Sequence, residues 1–349
     1  MATADPSVAR PAQRRIAALL VLIAGVFLVV VTFANNLFGV GPAFENLITD
    51  FRPALSQQSI ATARQDLTGL QAVGDEFQNK LAPQLAAQMG QTPEQFNAFV
   101  QQQFPDVAKG MAALPAIVPQ FNGLITTLDQ QRPLFASADA IPTSNLPATT
   151  VPWGLLALGV LMMVAGVLMW VTRRLGSWLA IVLGVVVVLA SVLLTLPTKA
   201  ADADQLNANL QPVYTKTLVD NAKGALTTMS AMGQQMQQDM LPALAQQLNM
   251  QPEQLQGFLQ QNFPATAAAL TSMPQTLARF QALVTTFDAN LGNYDVLKPV
   301  DFTMVIWMML GAGIAVLLFG AWGVFAALPR HSPHHVIHPE MPSGIAPVA

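Results

Sequence analysis

Residues 93–105 read PEQFNAFVQQQFP, and residues 252–264 read PEQLQGFLQQNFP. These two stretches lie 159 positions apart and decide how the chain is read. At that offset Gly74–Asp129 falls on Gly233–Asp288 with 21 identities in 56 positions and no gap. Pro83 meets Pro242, Phe99 meets Phe258, Phe104-Pro105 meets Phe263-Pro264, and Pro115 meets Pro274. Phe121 meets Phe280, and Asp129 meets Asp288. Working outward, Pro53 falls on Pro212, Gly25 on Gly184, and Arg14-Arg15 on Arg173-Arg174. Beyond Asp129 the offset becomes 154, placing Trp153 on Trp307, Gly159 on Gly313 and Gly166 on Gly320.

The flanks of this match are apolar. The chain has 349 residues, of which 52% are apolar and only 10% charged. A soluble domain carries about 25% charged residues, so this chain lacks the polar groups to cover a globule of its size. The apolar residues concentrate in four charge-free segments, at 16–34, 153–171, 178–196 and 302–328. Each has about the length needed to cross the hydrocarbon core as a helix, which satisfies its own backbone. The repeat unit is therefore span, loop domain, span. Two spans per unit make both copies face the same way, a tandem (parallel) duplication with a pseudo-two-fold axis along the membrane normal. Span 1 has the flanks of a signal peptide. Its internal copy, span 3, is retained, which argues that span 1 is retained too.

Charge sets the expected orientation. Arg10, Arg14 and Arg15 precede span 1, Arg173 and Arg174 lie between spans 2 and 3, and Arg330 follows span 4. Basic residues mark the cytoplasmic side. Residues 41–150 hold nine acids and five bases, and residues 197–301 eight acids and five bases, whereas the remainder holds six bases and two acids. The expectation is an all-α membrane protein of the plasma membrane. It has a cytoplasmic N-terminus (1–15), a first outer region with a Pro-rich linker (35–152), a cytoplasmic loop (172–177), a second outer region (197–301) and a cytoplasmic tail (329–349). The outer regions are expected as two homologous extracytoplasmic helical domains.

Residues 51–89 are rich in Ala, Gln and Leu, which favours helix. Pro53 and Pro212 mark possible helix starts, Pro83 and Pro242 expected kinks or breaks, and Gly90 an expected C-cap. Thr92-Pro93-Glu94-Gln95 has the pattern of a capping box. Apolar residues then recur at three and four, with Pro105, Pro115, Pro264 and Pro274 expected to punctuate them into short helices. Four or five helices per domain and no sheet are expected. Phe99, Phe104, Phe121, Phe258, Phe263 and Phe280 form a stripe that reads as core or as the lining for an apolar ligand. Gly159, Gly166, Gly313 and Gly320 lie seven apart in pairs, on faces that let membrane helices approach closely.

No catalytic constellation is legible. Cysteine is absent, and all four histidines (His331, His334, His335, His338) lie in the C-terminal tail, which reads as flexible, with metal binding as the minor alternative. Of the acids shared by both copies, Glu94 and Glu253 complement a helix dipole, and Asp129 and Asp288 read as caps or turns. Asp75-Glu76 reads as a solvated helix face. No cofactor or metal is expected. A net charge of −3 and Gln-rich runs without basic residues argue against nucleic acid. Uncharged spans argue against ion-coupled transport. The expectation is a non-enzymatic integral membrane protein of the bacterial cell envelope. As a scaffold or accessory subunit, it would present helical domains to a protein partner or to a second copy. The alternatives are binding or transfer of lipid or another apolar ligand, an extracytoplasmic sensor, and a transporter of a hydrophobic substrate.

Overall fold

A computed structural model describes residues 6–143, 145–172 and 174–327, with no side chains described at 6–12 and 327. Arg173, Arg330 and the histidine tail therefore lie outside the described residues, as does the side chain of Arg10. The chain forms α1 (Pro6–Ala34), α2 (Leu37–Phe51), α3 (Gln57–Glu76), α4 (Ala82–Gln88), α5 (Pro93–Gln103) and α6 (Pro105–Asp139). It continues with α7 (Thr150–Val171), α8 (Leu175–Leu193), α9 (Leu196–Leu210), α10 (Lys216–Gln235) and α11 (Leu241–Gln247). Last come α12 (Pro252–Asn262), α13 (Pro264–Ala289), α14 (Leu291–Leu297) and α15 (Phe302–Ala327). Among the described residues one isolated bridge, Thr143–Leu146, is the only extended pairing.

The helix punctuation follows local chemistry. Thr92 Oγ1 accepts from the Gln95 N–H (3.3 Å), and Gln95 Oε1 accepts from the Thr92 N–H (2.9 Å), closing the capping box at α5. At α12 the Gln251 N–H donates to Gln254 Oε1 (2.9 Å). Gly90 sits at φ +66° and ends α4, with the Gln91 N–H donating to Ala86 O at 2.8 Å. That left-handed geometry suits glycine. Its counterpart 159 residues on is Asn249, at φ 52°.

The prolines act differently from expectation at several places. Pro53 and Pro212 lie in turns, and α3 and α10 start a few residues later under Ser56 and Thr215 caps. Pro83 and Pro242 break nothing. Each follows a π turn, Phe77–Leu81 and Met236–Met240, and enters the next helix at its first turn. The wider π turn absorbs the residue whose N–H is missing. Pro115 and Pro274 also stand inside continuous helices, as do Pro119 and Pro133, so α6 runs for 35 residues. Pro105 and Pro264 do start helices.

Five helices are long and apolar enough to cross a membrane: α1, α6, α7, α8 and α15. Four coincide with the expected spans. The fifth, α6, has the lowest mean hydropathy, 1.3 against 2.3 to 3.1. It carries Asp106, Lys109, Asp129, Arg132 and Asp139, and it packs against α3, α9 and α10. Its apolar residues belong to the core of a helical body.

The chain divides into two compact units. The smaller comprises residues to Phe27, Leu158–Val186 and Ala312 onward. In it α1 packs on α7 and α8 on α15 through glycine. A Cβ on Gly25 would meet Gly159 O at 2.6 Å, and one on Gly184 would meet Gly313 O at 2.8 Å. Gly166 lies against Ala18 and Leu22, and Gly320 against Ala180 and Ile181. The four glycines singled out in the sequence are thus close-approach points of two helix pairs. Arg14 donates to Trp170 O (2.8 Å), and Trp170 Nε1 donates to Arg15 O (3.4 Å).

The larger unit is Leu28–Ala157 with Val187–Gly311. Here the expectation of two domains is corrected: the two long segments share one hydrophobic core. They are interlocked. α3 packs on both α6 and α13, α10 on both α13 and α6, α2 on α14, and α9 on α6. Phe121 and Phe280, equivalent at offset 159, meet edge to face at 5.1 Å. The polar contacts cross in matched pairs. Glu76 Oε2 accepts from the Thr266 N–H at the start of α13 (2.7 Å). Gln235 Oε1, 159 residues on, accepts from the Asp106 and Val107 N–H groups at the start of α6 (2.8 and 3.0 Å). Asn290 donates to Asp50 Oδ2 (2.8 Å), and Asn209 donates to Gln131 Oε1 (2.8 Å), again equivalent positions.

Two outcomes test this packing. Glu76→Ala strands the Thr266 N–H and lowers stability by about 1–3 kcal/mol. Glu76→Gln keeps an acceptor, as Gln235 does, and stays close to the parent in thermal unfolding of the detergent-solubilised protein. Gly25→Val pushes α1 off α7 and costs about 1–3 kcal/mol or more.

Candidate functional surfaces of the large unit

The phenylalanine stripe is buried. Phe104, Phe121, Phe263 and Phe280 are core residues, and Phe99 and Phe258 are half-buried, packed on Phe104 and Phe263 at 5.7 Å. Of the six, Phe121 and Phe280 also line grooves. One groove, about 470 Å³, runs between α6 and α10 and includes Phe121, Leu124, Thr127, Val213, Thr217 and Asn221. The other, about 440 Å³, runs between α13 and α3 and includes Phe280, Leu283, Thr286, Ala54, Gln58 and Thr62. Each residue in the first is equivalent to one in the second at offset 159.

The two grooves differ in charge. Arg279 grips Asp66 in the α3–α13 groove through two hydrogen bonds of 2.6 and 2.7 Å, and Thr276 adds a third at 3.1 Å. Asp66 raises the Arg279 pKa further, chiefly through that hydrogen bond. The equivalent positions in the other groove are Ala225 and Gln120, so it is uncharged there. Sequence reading passed over Asp66 and Arg279 because neither is repeated.

The repeated acids have structural partners. Asp129 pairs with Arg64 (2.8 Å) and Asp288 with Lys223 (2.7 Å), the same contact in both halves. These are ion pairs between helices, and they replace the expected cap or turn role. Glu94 sits in the first turn of α5, and its carboxyl is held below the usual range by a backbone N–H and then by the Thr92 hydroxyl. Glu253 occupies the same place in α12. Glu76, expected on a solvated face, is buried as the cap described above.

A third feature is an apolar slot of about 70 Å³. Its wall pairs Leu37 with Leu196, Gly41 with Ala200, Ala148 with Phe302, Val151 with Val305, and Pro152 with Ile306, each an equivalent couple. The slot is therefore walled by both long segments at matching positions. Above the starts of α7 and α15, two carboxylates hold matching backbone N–H groups. Glu45 accepts from Ala148 (2.7 Å), and Asp204 accepts from Phe302 and Thr303 (2.8 Å each).

The chain has two tyrosines, and they stack on each other at 4.5 Å within a cluster that includes Phe51 and Phe287. Tyr294 donates to Asn207 O (2.9 Å), whereas the buried Tyr214 hydroxyl has no partner. Burial, then Asp295, pushes Tyr294 up to about 12. Burial, then Asp50 and Tyr294, raises Tyr214 further still. Among the described residues no group of three or more His, Asp or Glu is placed to hold a metal ion.

Both tyrosines bind their protons more tightly when folded than at the free value of about 10, so stability falls as pH rises through that value toward the folded pKa. Spectrophotometric titration of the native protein at about pH 10 is expected to show almost no tyrosinate, with both tyrosines ionising on unfolding. Tyr214→Phe removes an unpaired buried hydroxyl and is expected to be neutral or stabilising by about 1 kcal/mol. Comparison with protein-family models, with curated proteins and with solved structures finds no match for this chain.

Proposed function

We propose that the chain is a non-enzymatic, multi-pass protein of a bacterial plasma membrane that works as a scaffold or accessory subunit. α1, α7, α8 and α15 are its spans, and both termini are cytoplasmic. The large unit is the extracytoplasmic platform that meets a protein partner. The observation that carries this reading is the reciprocal interlocking of the two long segments. Caps that cross between segments make a stiff body, and a stiff body with two related grooves suits presentation of a surface. A tandem duplication is supported by backbone features that recur 159 residues apart: the π turns, the positive φ of Asn36 and Thr195, and the paired caps. The orientation is supported by the arginines near the ends of α1 and α8. α6 is read as part of the platform because it carries five charges and is packed inside it.

Binding of lipid or another apolar ligand is the second reading, favoured by the wholly apolar slot.

The chain has no cysteine, so single cysteines report topology directly. Gln91→Cys is expected to react with a membrane-impermeant maleimide on intact cells, and Thr172→Cys only after permeabilisation. The reverse pattern would sink the orientation. Crosslinking in native membranes followed by purification in mild detergent is expected to capture a stoichiometric partner. A chain that stays single under every condition would end the scaffold reading.

A further inference from the structure

The two halves differ at one place beside the start of the last span. A cleft of about 490 Å³ opens there, lined by Asn207, Gln211, Lys298, Asp301, Thr303 and Trp307 among others. In the first half the equivalent gap is bridged. Arg52 holds Asp139 through hydrogen bonds of 2.6 and 3.2 Å, and Phe38 packs edge to face on Trp153 at 5.1 Å. At offset 159, which the helix bounds carry to the end of α6 and the C-cap of α14, Arg52 and Asp139 fall on Gln211 and Lys298 and Phe38 falls on Pro197, while at offset 154 Trp153 falls on Trp307. The bridging ion pair is thus gone from the second half, and Lys298 forms no ion pair among the described residues.

The groups left in the cleft are complementary to a particular chemistry. Lys298 is an exposed cation, suited to a phosphate. Asp301 uses Oδ1 to accept from the Met304 N–H (2.7 Å), leaving its second oxygen open. The buried Oδ1 of Asn207, in the cleft wall, accepts no hydrogen bond. Two acceptors, one of them charged, suit an ammonium with hydrogens to donate. Trp307 is 57% exposed and stands one turn inside the apolar helix α15. Tryptophan at such a place settles at the headgroup level of a bilayer.

We propose that this cleft binds the headgroup of a phosphatidylethanolamine lipid, with the phosphate on Lys298, the ammonium on Asp301 and Asn207, and the chains along α15. The proposal rests on α15 being a span whose N-terminal end is extracytoplasmic. Phosphatidylcholine offers the same phosphate and an ammonium charge without hydrogens, and phosphatidylglycerol the same phosphate with no ammonium, so the two lipids separate the ammonium's hydrogens from its charge.

The test is native mass spectrometry of the full chain released from nanodiscs holding the three lipids in equal amounts. The parent protein is expected to retain phosphatidylethanolamine about tenfold over the other two, the ratio that one charge-assisted hydrogen bond supplies. The double variant Gln211→Arg with Lys298→Asp rebuilds the ion pair of the first half and is expected to abolish that preference. Lys298→Gln, a milder change, is expected to weaken retention of all three lipids together, since each carries the phosphate, and Asp301→Asn to remove the preference for phosphatidylethanolamine. Equal retention of all three lipids, or a preference that survives both Lys298 variants, overturns the proposal. Selective binding of soluble glycerophosphoethanolamine without selective lipid retention overturns the lipid as its source. Failure of the chain to enter nanodiscs at all would instead refute the membrane reading.

Discussion

The first backbone N–H groups of a helix have no partner within the helix, and burial makes that deficit costly. In this protein the two longest helices of the large unit, α6 and α13, reach the interior within their first turn, at Val107 and Thr266. Each has its deficit met from the other half of the chain, by Gln235 and by Glu76. The rest of the large unit depends on that exchange. It draws α3 against α13 and α10 against α6, places Phe121 on Phe280, and joins the two long segments in one core.

The elements were legible in the sequence because their signals are local. The spans follow from length and lack of charge, the capping box from Thr92 to Gln95, and the end of α4 from Gly90. Where the reading failed, the controlling interaction was not local. Glu76 looks like a solvated acid from its neighbours, yet it is buried as the cap of a helix 190 residues away. Proline was read as a kink or break at Pro83 and Pro242 and as a helix boundary at Pro115 and Pro274, but the helices run on through all four, with a π turn just before Pro83 and Pro242. Two domains were expected from the two matching stretches of sequence. Such a match does not say whether each stretch closes on itself or on the other. The glycine pairs were legible as packing faces, since only small residues allow backbones to touch. The grooves and the cleft were not, because each depends on what separates the copies.

At two matched crossing contacts the first half supplies the charged member, Glu76 against Gln235 and Asp50 against Asn209. The second half has instead lost an ion pair that the first half keeps, exchanging Arg52 and Asp139 for Gln211 and Lys298. An amide fills the same geometry as a carboxylate without its desolvation cost. The scaffold contacts therefore tolerate the exchange, and surface positions are free to acquire different chemistry.

The crossing of the caps has a consequence for synthesis. Gln235 is made 129 residues after Asp106, which at ribosomal speed is roughly ten seconds. Until then the start of α6 lacks its crossing cap and its apolar flank lacks α10. The nascent first half therefore carries an apolar flank that its own chain has yet to cover. Because the missing surface is so like its own, the natural mistake is to pair with the first half of another molecule.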